Sequence, residues 1–135
     1  MQQTHNTLSE TIREQAVALL NKHLAAAIDL QGQLKQAHWN VRGPTFIAVH
    51  ELFDKVAGDA ADYADLLAER AAALGGVAEG TIQVASANSF LVPYPLRIAD
   101  EKQHLFAVAA TLASELVAWF ARNARSAPVP VAARA

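Results

Sequence analysis

Residues 38–54 read HWNVRGPTFIAVHELFD, two histidines and an aspartate set around a single Gly-Pro turn inside what is otherwise plain amphipathic helix. Gly43 and Pro44 break the helical pattern, and Thr45 can cap a new helix. On the N-terminal side Leu8, Ile12, Leu19, Leu20, Leu24, Ile28 and Leu34 recur at helical spacing behind a Thr7/Glu10 capping-box pair. They predict a first helix over about 8–39. On the C-terminal side Phe46, Ile47, Val49, Leu52, Phe53, Val56, Leu66 and Leu67 predict a second helix that ends at Gly75-Gly76 by glycine C-capping. Residues 77–97 read as a connector with a short helical turn near 87–91, closed by Pro93-Tyr94-Pro95. A third helix is predicted over about 98–124 from Ile98, Leu105, Phe106, Leu112, Leu116, Val117 and Phe120. The final SAPVPVAARA has no period, so the domain is expected to occupy 1–126, followed by an irregular tail at 127–135.

Three long helices with almost no strand signal mean an all-α chain. A crossover connector of this length between the second and third helices suggests a ferritin-like helical bundle, with three long helices present and the fourth helix missing. The 135 residues suit one domain. A 53% hydrophobic content, mean hydropathy of +0.14 and only 18% charged residues predict apolar surface buried between subunits, hence a homo-oligomer. The net charge of -2 gives no global positive field for nucleic acid or an anionic membrane. There is no cysteine, which excludes disulfides and thiolate chemistry and leaves His, Asp and Glu as strong metal ligands. The opening MQQTHNTLSE resembles no secretory leader, and no long uncharged apolar run follows. The expected compartment is the cytoplasm, with no membrane partner.

Along the second helix His50 and Asp54 lie one turn apart, as do Asp65 and Glu69. At about 100° per residue Asp65 returns to within about 20° of Asp54, so the four share one stripe. Yet at about 1.5 Å rise per residue Asp54 and Asp65 stand roughly 16 Å apart, too far for one metal site. One copy of the helix cannot close the site, but two antiparallel copies crossing near Gly58, Asp59 and Ala60 can. His50 and Asp54 of one chain then face Asp65 and Glu69 of the other, and symmetry makes two identical sites. Ala57, Gly58, Ala60, Ala61 and Ala64 are small enough for close approach at that crossing. The Gly43-Pro44 turn brings His38 near His50. Two imidazoles with up to three carboxylates suit iron, manganese or zinc. Trp39 and Asp62 are candidates for supporting the ligands from outside. Glu101-Lys102-Gln103-His104 has the Glu-x-x-His spacing of di-iron bundles, which use two such motifs. Standing once, it reads as coincidence, with His104 paired to Asp100 one turn earlier; His5 and His23 receive no role.

KQAHWNVRGPTFIAVHELFD, followed by DYADLLAERAAALGG and GTIQ, closely resembles the Dps family, the DNA-binding proteins from starved cells or mini-ferritins. The likeness is dense from about Leu8 to His104. It implies a dodecameric shell of four-helix subunits with ferroxidase centres at two-fold dimer interfaces, two iron sites to each interface. Carried over, His38, His50 and Asp54 come from one subunit and Asp65 and Glu69 from its partner, the arrangement the helix arithmetic reaches independently. The implied reaction is oxidation of Fe(II), preferably by hydrogen peroxide, with ferric storage and protection of DNA during starvation or stress.

The resemblance weakens from about Ser114, and the fourth helix of the family is expected to be absent. Where family members contact DNA they do so largely through basic termini; here the first ten residues hold no Lys or Arg, and Arg122, Arg125 and Arg134 form a modest positive patch. DNA binding and nucleoid association are therefore weakly supported, and protection by removal of iron and peroxide ranks first. Two other readings stay open: a DNA-compacting protein without ferroxidase activity, and a truncated, inactive relic.

Overall fold

The computed structural model describes residues 1–123. The tail expected at 127–135, and with it the expectation about a further helix, lies outside the described residues. The chain forms α1 (Glu10–Asn40), α2 (Phe46–Ala73), a short α3 (Ile82–Asn88) and α4 (Glu101–Asn123). Among the described residues there is no strand, only an isolated bridge between Arg42 and Asp100. The all-α, ferritin-like expectation of three long helices is met.

Three starts differ from expectation, each for a local reason; α4 begins at Glu101, not near 98, because the Asp100 carboxylate caps it by accepting the Gln103 amide. Asn6 Oδ1 accepts the Leu8 amide, so the chain is still turning there, and Ser9, not Thr7, caps α1 by accepting the Ile12 amide. The connector's helix lies at 82–88 instead of 87–91, because the Thr81 hydroxyl caps it by accepting the Val84 amide. The end of α2 is as expected. Gly75 donates to Ala72 and Gly76 to Ala71, the paired bonds of a Schellman motif, and Gly75 has φ +83°. Gly75→Ala is expected to cost at least about 1–2 kcal/mol, since a Cβ at this positive φ is strained and would also lie 2.5 Å from the Gln2 carbonyl oxygen. Urea unfolding of the variant measures this.

The core runs between α1 and α2. Leu30, Leu34 and Ala37 of α1 meet Phe53, Ala57 and Ala60 of α2, capped by Leu91 and Val108; Leu24 and Ala27 meet Ala64 and Leu67; Val17 meets Ala71 and Leu74. This contact is rich in alanine, and small side chains on both faces let the helix axes come close. The expected role of the small residues of α2 needs correction accordingly. Ala57, Ala60 and Ala64 are buried within the chain, and only Gly58 and Ala61 of that group lie on the outward side.

α4 joins α1 partly through polar groups. The Thr111 hydroxyl donates to Gln33 Oε1 at 3.0 Å, and Gln33 Nε2 donates to Asp29 and to the Val92 carbonyl. His23, buried, holds Glu115 at 2.7 Å. These bonds satisfy polar groups that packing removes from water. Several apolar side chains of the predicted stripes stay outside, including Phe46, Ile47, Leu52 and Leu66 of α2 and Phe106 of α4. Among the described residues no helix is long and apolar enough to cross a membrane.

Candidate metal centre

α1 ends where the Val41 amide bonds back to Ala37, and the Arg42 amide then turns away to the Ala99 carbonyl. The chain reverses, and α2 runs back beside α1. Across this reversal the two histidines lock each other. His38 Nδ1 meets the His50 carbonyl at 2.9 Å, and His50 Nδ1 meets the His38 carbonyl at 2.8 Å. Their rings stack with centroids 3.6 Å apart. A carbonyl only accepts, so each Nδ1 carries a proton, and in the neutral imidazole each Nε2 keeps a lone pair. Backbone carbonyls thus set the tautomer and aim of both imidazoles, the usual way a metal-binding histidine is oriented.

Asp54 stands one turn beyond His50, exposed, with Oδ1 4.0 Å from His38 Nε2 and 2.6 Å from Lys35 Nζ. The Lys35 ammonium, first by its hydrogen bond and then by its charge, holds the Asp54 carboxyl below the usual carboxylate range; the two histidines add smaller contributions. Because the folded value lies below the unfolded one, the pair favours the fold above the ordinary carboxylate range, and the benefit disappears as pH falls through the folded value. Lys35→Met is expected to move the Asp54 midpoint up toward the ordinary carboxylate range in a carbon-detected NMR titration. Any cation taken by Asp54 competes with that ammonium.

His38, His50, Glu51, Asp54, Lys55 and Gly58 line one open depression. Asp65 and Glu69 lie further along α2, both exposed, and are not brought to His50 within the chain. Among the described residues of one chain, no group of three His, Asp or Glu side chains is placed to hold a metal ion. Between the two halves of the stripe sit Gly58 and Ala61, and a Cβ on Gly58 would meet nothing within 4 Å. The space beside Gly58 is open. Trp39 is 67% exposed with Lys35 Nζ 6.0 Å from its ring centroid, so within one chain it does not cover the histidines. Asp62 is exposed on the same helix.

Two residues near the site escaped the sequence reading. Lys35 was detectable in principle, since it precedes His38 by one turn on the same face. Glu101 was noticed only as part of Glu-x-x-His. In the structure Asp100 caps α4 through the Gln103 amide at 2.9 Å, while His104 Nδ1 meets the Tyr94 hydroxyl at 2.7 Å. The expected Asp100–His104 pairing is replaced by these two. Glu101 reaches across to Thr45.

Comparison with known proteins places this geometry in context. The family model of the ferritin-like domain matches residues 17–116. The DNA protection during starvation protein of Agrobacterium fabrum is 42% identical over 105 residues, 78% of this chain and 65% of that protein. The protein of the same description from Mycolicibacterium smegmatis is 45% identical over 74 residues, 55% of this chain and 40% of that one. The chain thus spans about two thirds or less of the length of these curated relatives. Among solved structures, DpsA14 from Streptomyces coelicolor superposes with a TM-score of 0.80 at 38% identity, over 84% of this chain and 68% of that one. Mycobacterium smegmatis Dps gives 0.81 at 32% identity, over 87% and 71%.

Proposed function

The chain belongs to the Dps family of ferritin-like proteins, and from that premise we propose that it is a ferroxidase and iron store. It oxidises Fe(II), with hydrogen peroxide as preferred oxidant, and retains the ferric product. Iron is the substrate, held at two sites in each two-fold interface between copies of the chain. Two Fe(II) ions each give one electron to a peroxide, whose O–O bond breaks, and with two protons the products are two Fe(III) and two waters. No hydroxyl radical leaves the site, and DNA is protected because both reactants are consumed.

The observation that carries this reading is the reciprocal lock of His38 and His50, with both Nε2 lone pairs free beside Asp54 on an open face. Imidazoles bind Fe(II) without holding it tightly, and carboxylates favour the harder Fe(III). Asp65 and Glu69 of a second copy complete the donor set. Trp39 and Asp62 support the ligands once that copy is in place. The exposed Phe46, Ile47, Leu52 and Leu66 supply apolar surface for assembly of the homo-oligomer, a dodecamer in full.

Protection in the cytoplasm, alongside the nucleoid, follows on this reading from removal of iron and peroxide and needs no contact with DNA. The segment before α1 holds no Lys or Arg and is tied to the end of α2, the Gln2 amide donating to Gly75 and the Thr4 hydroxyl to Ala73. The test adds Fe(II) anaerobically, then peroxide, and follows ferric absorbance together with nicking of plasmid DNA. Oxidation well above the buffer rate with plasmid left intact is expected. Oxidation at the buffer rate would overturn the proposal.

A further inference from the structure

Glu101, at the start of α4, bears on the turn that joins α1 to α2. The Glu101 carboxylate accepts two bonds from Thr45: the amide donates to Oε1 at 2.9 Å, and the hydroxyl donates to Oε2. Thr45 is the N-cap of α2, yet its own side chain makes no capping bond to the helix. The charge that belongs at a helix N-terminus is supplied instead from another helix. The contact is close enough that a Cβ on Gly43 would overlap the Glu101 carboxylate, so a side chain there would have to push the carboxylate aside. Just before α4 the Ala99 carbonyl accepts the Arg42 amide at 3.1 Å. His104, 1% exposed, is held through Nδ1 by the Tyr94 hydroxyl. Residues 42–45 are thereby gripped at Arg42 and Thr45 by the start of α4 and the residue just before it.

The turn is what sets His38 against His50. Their two bonds of 2.9 and 2.8 Å each join a side chain on one helix to a carbonyl on the other, so a small rotation of α2 about the turn breaks both. We propose that Glu101 is a positioning residue for the candidate centre: by clasping Thr45 it holds the α1–α2 turn in the one setting that keeps both imidazoles locked. For iron chemistry this rests on the ferroxidase reading; the lock itself can be observed without metal.

The test uses the full chain in three variants, Glu101→Ala, Glu101→Gln and Thr45→Val. Without metal, imidazole nitrogen chemical shifts report the tautomer of His38 and His50. With Co(II) as probe, visible absorption reports binding. The wild type is expected to show a single tautomer with Nδ1 protonated for both residues. In Glu101→Ala these signals move toward exchange-averaged values, and Co(II) binding weakens by about tenfold. Glu101→Gln keeps an acceptor for the Thr45 amide and recovers most of both. Nitrogen shifts unchanged in Glu101→Ala would overturn the proposal. If that variant does not fold, Thr45→Val, which removes only the hydroxyl donor at nearly constant shape, is expected to shift both histidines in the same direction, and no shift would overturn it equally. A wild type that binds no Co(II) would count against the metal centre, while the tautomer measurement still decides the clasp.

Discussion

Chains carrying His50→Ala with Asp54→Ala are expected to oxidise Fe(II) no faster than buffer, and so are chains carrying Asp65→Ala with Glu69→Ala. Refolded together as an equal mixture, the two inactive chains are expected to regain about a quarter of the wild-type rate. The reason is geometric. Each proposed site takes His38, His50 and Asp54 from one copy and Asp65 and Glu69 from the other, because one α2 holds these groups roughly 16 Å apart. In a mixed pair one site combines both damaged halves, and the other combines both intact halves. Random pairing makes about half of all pairs mixed, and each of these has one working site of two. Stopped-flow ferric absorbance measures the rate, and native mass spectrometry with one chain isotopically labelled confirms the mixing. A mixture that contains mixed pairs yet stays at the buffer rate would show that the five residues do not share a site across the interface.

Phe53→Ala is expected to be the most damaging single substitution for stability. Phe53 is 1% exposed and, among the described residues, the largest of the fully buried side chains, in one core cluster with Leu34, Ala57, Leu91 and Val108. Its truncation removes apolar contact on both the α1 and α4 sides and leaves a cavity that alanine-rich neighbours cannot fill. The cost is about 3–5 kcal/mol, a large fraction of the about 5–15 kcal/mol that holds a typical domain folded. Chemical denaturation should show the midpoint falling with little change in slope. Leu66→Ala, at a residue 64% exposed, is expected to stay within about 0.5 kcal/mol in the same measurement on the dissociated chain. A loss of under about 1 kcal/mol for Phe53→Ala would mean that α1 and α2 are not closely packed around it.

Phe53 and Asp54 are neighbours with opposite duties, one turned into the core and one onto the open face. The periodicity of α2 predicts that division, because side chains about 100° apart point to different surroundings. The same periodicity puts His50, Asp54, Asp65 and Glu69 on one stripe. It does not say which neighbour the other faces will meet. Ala57, Ala60 and Ala64 read equally well as a contact for a second copy, and they are spent on α1.

What the sequence by itself determined are the features that depend on a few consecutive residues. Gly43-Pro44 stops α1, Gly75-Gly76 stops α2 through a left-handed glycine, and the spacing of apolar residues makes three long helices. Backbone sterics and the pitch of the helix act over one or two turns, so they are legible without knowing the fold. Only the tertiary structure decided the pairings of Lys35 with Asp54, His23 with Glu115, and Glu101 with Thr45, and the bond of each histidine to the other's carbonyl. These join groups 12 to 92 residues apart in the chain. Which charge meets which donor is settled by how the alanine-rich faces let α1 and α2 approach and where α4 then comes to rest, because a hydrogen bond forms only within a few tenths of an ångström of its best length.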